Sequence, residues 1–91
     1  MKYTHMQVFY TVARYQNISK AALELDVTQP AVSRIIANLE KEFNVKLFYR
    51  SKEGVKLSRE GLSLYEALKN PFSELDKINN DILNKNIFLQ S

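Results

Sequence analysis

One small signal recurs four times and constrains what this chain can fold into. An apolar residue is followed by Ser or Thr, then three residues, then a second apolar residue: "YTHMQV" at 3–8, "ISKAAL" at 18–23, "VTQPAV" at 27–32 and "LSREGL" at 57–62. Ser and Thr cap helices because the side-chain oxygen accepts an otherwise orphaned N–H of the first turn. The flanking apolar residues can close a hydrophobic staple across that turn, and Gln7, three after Thr4, also fits a capping box. The signal predicts four helices, starting after Thr4, Ser19, Thr28 and Ser58. The segments between them differ in length and content, so this is not a solenoid repeat.

The third helix is the most informative. In "DVTQPAVSRIIANLEKEF" at 26–43, Val32, Ile35, Ile36, Leu39 and Phe43 recur at helical spacing as one apolar stripe. The opposite stripe is Pro30, Arg34, Ala37 and Lys41, flanked by Ser33. Ala37 leaves the middle of that face without bulk, so something is expected to approach it closely. With Thr28 as cap, Pro30 is the second helical residue, where its missing N–H has no intrahelical partner and its ring meets no preceding turn.

The first helix is expected over about His5 to Tyr15, burying Met6, Phe9, Val12 and Ala13, and the second over Lys20 to about Leu25, with Ala21, Ala22 and Leu25 inward. Asp26 suits the left-handed turn between the second and third, and two helices so joined make a helix-turn-helix candidate. Beyond Phe43, Leu47–Arg50 and Val55–Leu57 read as two short strands around "SKEG", with Gly54 free to take positive φ. Lys46, Arg50, Lys52, Lys56 and Arg59 load this hairpin with positive charge against Glu53. A two-stranded hairpin is barely stable alone and is expected to pack on the helices.

From Arg59 a long helical pattern follows: Leu62, Tyr65, Leu68, Phe72, Leu75, Ile78, Ile82 and Leu89. In heptad terms a falls at 65, 72, 79 and 86 and d at 68, 75, 82 and 89, so Asn79 and Asn86 are polar a residues of the kind that fix register. Pro71 interrupts the pattern at a cost of roughly 3 kcal/mol inside a helix. Because the stripe keeps phase across it, a kinked continuous helix is expected rather than a stop near Lys69 and a restart capped by Asn70.

Composition narrows the functional classes. The chain has 91 residues, one domain by length, with a core small enough that oligomerisation is expected. It has no Cys and one His, which argues against disulfides, thiol-based metal sites and zinc. Scattered carboxylates and a single His, His5, give an enzyme little to work with. No long uninterrupted apolar run suggests a signal peptide or a membrane span, so a cytoplasmic, soluble protein without a membrane partner is expected. The net charge of +3 is uneven: residues 1–59 hold ten Lys/Arg against five Asp/Glu, and residues 60–91 three against five. A basic front suggests an anionic partner for that part alone.

These residues together carry a family resemblance. Ser19, Ala21-Ala22, Leu25, Gln29-Pro30-Ala31-Val32-Ser33, Ile36, Leu39-Glu40, Leu47-Phe48, Arg50, and Leu57-Ser58 with Gly61 stand in order and without gaps. The pattern resembles the N-terminal DNA-binding domain of LysR-type transcriptional regulators. The chain departs from that family's usual pattern in Asn17-Ile18-Ser19 where Gly-Ser-Phe is usual, in Phe43-Asn44 where Leu-Gly is usual, and in Pro71. Members normally continue into an effector-binding domain, and this chain stops about where that domain would begin; it is expected to be either a truncated piece or a stand-alone DNA-binding protein.

The resemblance implies a mainly α fold: a winged helix-turn-helix (three-helix core plus two-stranded β wing) over 1–58, then a long linker and dimerisation helix over 59–91. The recognition helix, about 29–43, would enter the major groove N-terminus first, and the wing, about 47–57, would lie on the backbone or in the minor groove. The implied function is sequence-specific binding of double-stranded DNA at dyad-symmetric half-sites, with no cofactor and no small-molecule effector site in this chain. Gln29 suits paired hydrogen bonds to adenine and Arg34 to guanine. Pro30 could touch a thymine methyl or sugar, Ser33 a phosphate or base, and Thr28 mainly caps. Arg50 and Lys52 would neutralise phosphates, and Glu40 and Glu42 would bar the helix's C-terminal half from DNA. Leu62, Tyr65, Leu68, Phe72, Leu75, Ile78 and Ile82 would form an antiparallel homodimer interface. The bland alternatives are a solvated helix end and a winged helix that binds protein rather than DNA.

Overall fold

The computed structural model describes residues 3–83. The elements run α1 (Tyr3–Tyr15), α2 (Ile18–Leu25), α3 (Gln29–Phe43), β1 (Phe48–Ser51), β2 (Gly54–Leu57) and α4 (Arg59–Leu83). This is the winged helix-turn-helix expected from the sequence, with the long helix following it.

Two of the four expected helix starts hold. Thr28 caps α3, its Oγ1 accepting the Ala31 N–H at 3.2 Å. Ser58 caps α4, its Oγ accepting the Gly61 N–H at 2.9 Å. The other two are corrected. α2 begins at Ile18 and its cap is Asn17, whose Oδ1 accepts the Lys20 N–H at 2.9 Å. Asn caps as well as Ser, and Gln16, at φ 52, turns the chain so that Asn17, not Ser19, has the extended backbone a cap needs. α1 already includes Tyr3 and Thr4, a shift within the one or two residues by which helix ends fray.

The exits of α2 and α3, like that of α1 at Gln16, are left-handed without glycine. Asp26, at φ 56, ends α2 and Asn44, at φ 55, ends α3. Behind each, a 6→1 bond closes the turn: Val27 N–H to Ala22 O at 3.0 Å and Val45 N–H to Glu40 O at 3.1 Å. Such bonds satisfy last-turn carbonyls, and the first fixes the angle at which α3 leaves α2.

The core centres on Phe9, Val12, Val32, Leu39 and Leu47, all fully buried. On α3 the stripe is buried at Val32, Ile36 and Leu39, while Phe43, at its end, is exposed. The strands pair antiparallel, Phe48 with Leu57 and Arg50 with Val55, leaving Lys52 and Glu53 as the turn. Phe48 meets Phe9 at 5.3 Å between ring centroids. The Val55 N–H donates to the Gln16 carbonyl at 3.2 Å, and Gly54, at φ 136, fits against that carbonyl where a Cβ would stand 2.4 Å away. The wing is thus sewn to the turn between α1 and α2.

α4 is continuous through Pro71. Its first half belongs to the core: Tyr10 stacks on Tyr65 at 5.2 Å and on Phe72 at 5.0 Å, and Leu68 is buried beside them. These contacts bracket the hydrogen bond that Pro71 forfeits and offset its cost. Arg14 adds an ion pair to Asp76 at 3.7 Å and another to Glu24 at 3.7 Å.

This divides the residues expected at a dimer interface. Leu68 and Phe72 are 7% and 6% exposed and pack within the chain, with Tyr65 half-buried there, whereas Leu62, Leu75 and Ile78 are 50%, 45% and 50% exposed. The face that α1 takes is flanked by Leu62 on one side and by Leu75 and Ile78 on the other, and these flanks remain open. The expected roles of Ile82, Asn86 and Leu89 lie outside the described side chains. Among the described residues no helix is long and apolar enough to cross a membrane.

Candidate nucleic-acid interface

The cap at Thr28 and the left-handed turn at Asp26 push the first turn of α3 out of the core, and Gln29, Pro30 and Arg34 are exposed on it. Ala37 is exposed one turn further along and Lys41 after it. The face that lacked bulk in the sequence is therefore open to a partner that can approach the backbone closely.

The wing meets the start of this helix across a groove of about 360 Å³, lined by Gln29 and Ser33 of α3, Arg50 and Lys52 of the wing, and Asn17 and Ser19 at the start of α2. Pairing places Arg50 on the same face of the hairpin as buried Val55. Its side chain thus lines the gap toward α3, while Tyr49 and its partner Lys56 lie on the other face. Four of the seven expected DNA contacts, Gln29, Ser33, Arg50 and Lys52, converge on one groove. Thr28, Pro30 and Arg34 stand outside it, exposed on the outer side of the helix start.

Within the described residues Gln29, Ser33, Arg34, Arg50 and Lys52 make no side-chain hydrogen bond or ion pair, so their donors are uncommitted. Arg50 and Lys52 bring positive charge to the groove against Glu53. Such a cleft, with two cations beside amide and hydroxyl donors, suits phosphate and base edges. The described residues hold no group of three His, Cys, Asp or Glu fit for a metal ion.

Sequence reasoning missed two features. Asn17 and Ser19 join the groove, which the cap assignment at Ser19 obscured. Glu40 is not simply a negative charge on the recognition helix: its Oε2 accepts the Leu47 N–H at 2.7 Å and the Phe48 N–H at 3.2 Å. The unpaired N–H groups at the entry to β1 were the available signal, since a buried donor needs an acceptor.

Residues 3–62 match the family described as bacterial regulatory helix-turn-helix protein, lysR family. The chain belongs to the LysR family. Among curated LysR-type relatives, the HTH-type transcriptional regulator DsdC of Escherichia coli (strain K12) is 44% identical over 78 residues, which are 86% of this chain and 24% of DsdC. The HTH-type transcriptional regulator AdmX of Serratia plymuthica is 36% identical over 78 residues, 86% of this chain and 26% of AdmX. The chain thus spans about a quarter of the length of the curated relatives it matches. Among solved structures, the BenM DBD/benA site 1 DNA complex contains a chain 33% identical to this one, with TM-score 0.75, covering 96% of this chain and 99% of its own. The CbnR DBD–DNA complex gives 29% identity and TM-score 0.74, with the same coverage. The four helices and the two-stranded wing are the LysR DNA-binding fold.

Proposed function

We propose that this chain binds double-stranded DNA with sequence specificity, as the DNA-reading part of a LysR-type transcriptional regulator. The observation that carries this reading is the groove in which Gln29 and Ser33 of α3 face Arg50 and Lys52 of the wing, beside a helix face kept low by Ala37. α3 enters the major groove with its N-terminal turn leading, where the helix dipole favours a nearby phosphate. Gln29 and Arg34 read base edges, Arg50 and Lys52 neutralise phosphates, and Ser33 bonds a phosphate or base between them. The DNA complexes of the BenM and CbnR DNA-binding domains, whose chains superpose over nearly all of this one, support the assignment.

In this reading residues 1–58 bind DNA and residues 59–91 serve as the linker and dimerisation segment. Two chains pair through the open side of α4 and present two recognition helices to a dyad-symmetric site. In vitro selection of bound duplexes with this chain tests the proposal. A recovered pair of inverted half-sites is the expected result. A chain that retains no duplex at low salt, where backbone contacts are strongest, overturns it in favour of a protein-binding winged helix.

A further inference from the structure

The segment Lys46–Phe48, between the recognition helix and the wing, is gripped from two sides. On its N–H side, Glu40 of α3 takes both the Leu47 and Phe48 donors on one part-buried carboxylate oxygen, at 2.7 and 3.2 Å. On its carbonyl side, the Ser58 N–H donates to Leu47 O at 2.9 Å and the Ser58 hydroxyl donates to Lys46 O. Gly61 of α4 presses on the same Leu47 carbonyl. Two residues past Phe48 stands Arg50. Above this grip, α3 and the wing are not packed tight: a cavity of about 130 Å³ separates them, lined among others by Ser33, Ala37, Glu40 and Arg50. At its base the Glu40 carboxylate ties the wing directly to α3, through bonds that, with an ionised acceptor, are roughly twice as strong as neutral ones, while Phe48 on Phe9 and the Val55 N–H on the Gln16 carbonyl hold the wing to α1 and its following turn.

We infer that Glu40 is a positioning residue for DNA binding: it fixes the wing, and with it Arg50, at a set distance from the reading face of α3. This rests on the DNA-binding reading above. It reverses the sign of what Glu40 does electrostatically. A negative charge on a helix that approaches phosphates repels them, so its removal alone would tighten binding. A positioning role makes removal weaken binding, because the wing cation then has to be ordered in the complex.

The test uses the whole chain and a duplex selected by it, with affinity measured against salt. E40A and E40D, the second keeping the charge but shortening its reach by one methylene, are expected to bind about tenfold more weakly and to lower the salt slope by about one, as loss of one phosphate contact does. E40Q, whose amide oxygen can accept the same two N–H groups, is expected to stay within about threefold of wild type. R50A, costing about tenfold in the wild-type background, is expected to cost less than about threefold on top of E40D, since neighbours in one network are not additive. A purely structural role would not remove the Arg50 penalty selectively. Protection of the Leu47 and Phe48 amides from hydrogen exchange in the free protein reads the grip without DNA, and it also serves if E40A fails to fold. Tighter binding by E40A and E40Q, full additivity of R50A with E40D, or unprotected amides in wild type each overturns the inference while leaving DNA binding intact. A wild-type chain that binds no duplex overturns both.

Discussion

The backbone of Gly61 lies so close to the carbonyl oxygen of Leu47 that a Cβ on Gly61 would stand 2.1 Å from it. Gly61 is in the first turn of α4 and buried, and Ala is ordinarily the better helix residue by about 1 kcal/mol. Here the sign is reversed, because the obstacle is main chain held by the Ser58 N–H and cannot rotate away. G61A is expected to destabilise the protein by about 2–4 kcal/mol, in the range of overpacked cores and broken backbone networks. Urea unfolding followed by circular dichroism measures it. An unchanged or raised midpoint would show that α4 can slide off the wing at no cost.

Tyr10 predicts how stability responds to alkali. Its burial, first, and neighbouring Tyr65, second, hold its hydroxyl above the usual tyrosine value. The native state therefore keeps a proton that the unfolded chain gives up sooner. This contribution to stability is complete below the usual value, about pH 10, and is lost as pH rises through the higher native value. Y10F keeps the ring that stacks on Tyr65 and Phe72 and removes the titration. Its unfolding free energy is expected to fall less steeply than that of wild type above about pH 10. Parallel curves for the two proteins would assign the alkaline loss to other groups.

The parts legible in the sequence were those decided within one helical turn. Thr28 and Ser58 cap because the donors they satisfy lie three residues on, and Asp26 and Asn44 adopt left-handed turns whose closing bonds are equally local. Ser19 and Asn17 compete for one cap, and the choice depends on the turn at Gln16, which no local spacing reveals. What needed the structure was set by distant neighbours. Leu68 and Phe72 fit a dimer stripe in one dimension and are buried because Tyr10 of α1 takes their face of α4. Glu40 reads as a surface acid until the N–H groups of residues 47 and 48 fold back onto it. Of the groove, the family motif points to Gln29, Ser33 and Arg50, but only the register of the wing shows that Arg50 faces α3.

Base reading and backbone neutralisation separate by substitution. Q29A is expected to change the preferred base at one position of the half-site, at a cost of roughly 1–3 kcal/mol there and little elsewhere. K52A, at the tip of the wing, is expected to weaken binding to all sequences alike and to reduce the salt slope by about one. Selection repeated with each variant distinguishes them. A uniform loss for Q29A would place that side chain on the backbone, and an altered motif for K52A would place the wing tip in a groove.

The burial split along α4 decides how its pairing is to be tested. Leu62, Leu75 and Ile78 are exposed on a helix whose other side is already packed against α1. Leu75 and Ile78, three residues apart and both exposed, form an apolar patch that, left open, is a site of association, and two-fold pairing covers it with the same patch of a second chain. L75K with I78K changes only exposed positions, so the winged core is expected to keep its stability while the chain becomes monomeric. Affinity for a two-half-site duplex then drops toward that for a single half-site. L68K is the contrasting control: it buries a charge beside Tyr10 and is expected to cost about 4 kcal/mol or more, unfolding the domain rather than dissociating it. Analytical ultracentrifugation at about 10–100 µM, where an interface of modest size associates, reads the outcome. A wild-type chain that sediments as a monomer throughout that range would remove α4 as the dimerisation element, and inverted half-sites would then need another explanation.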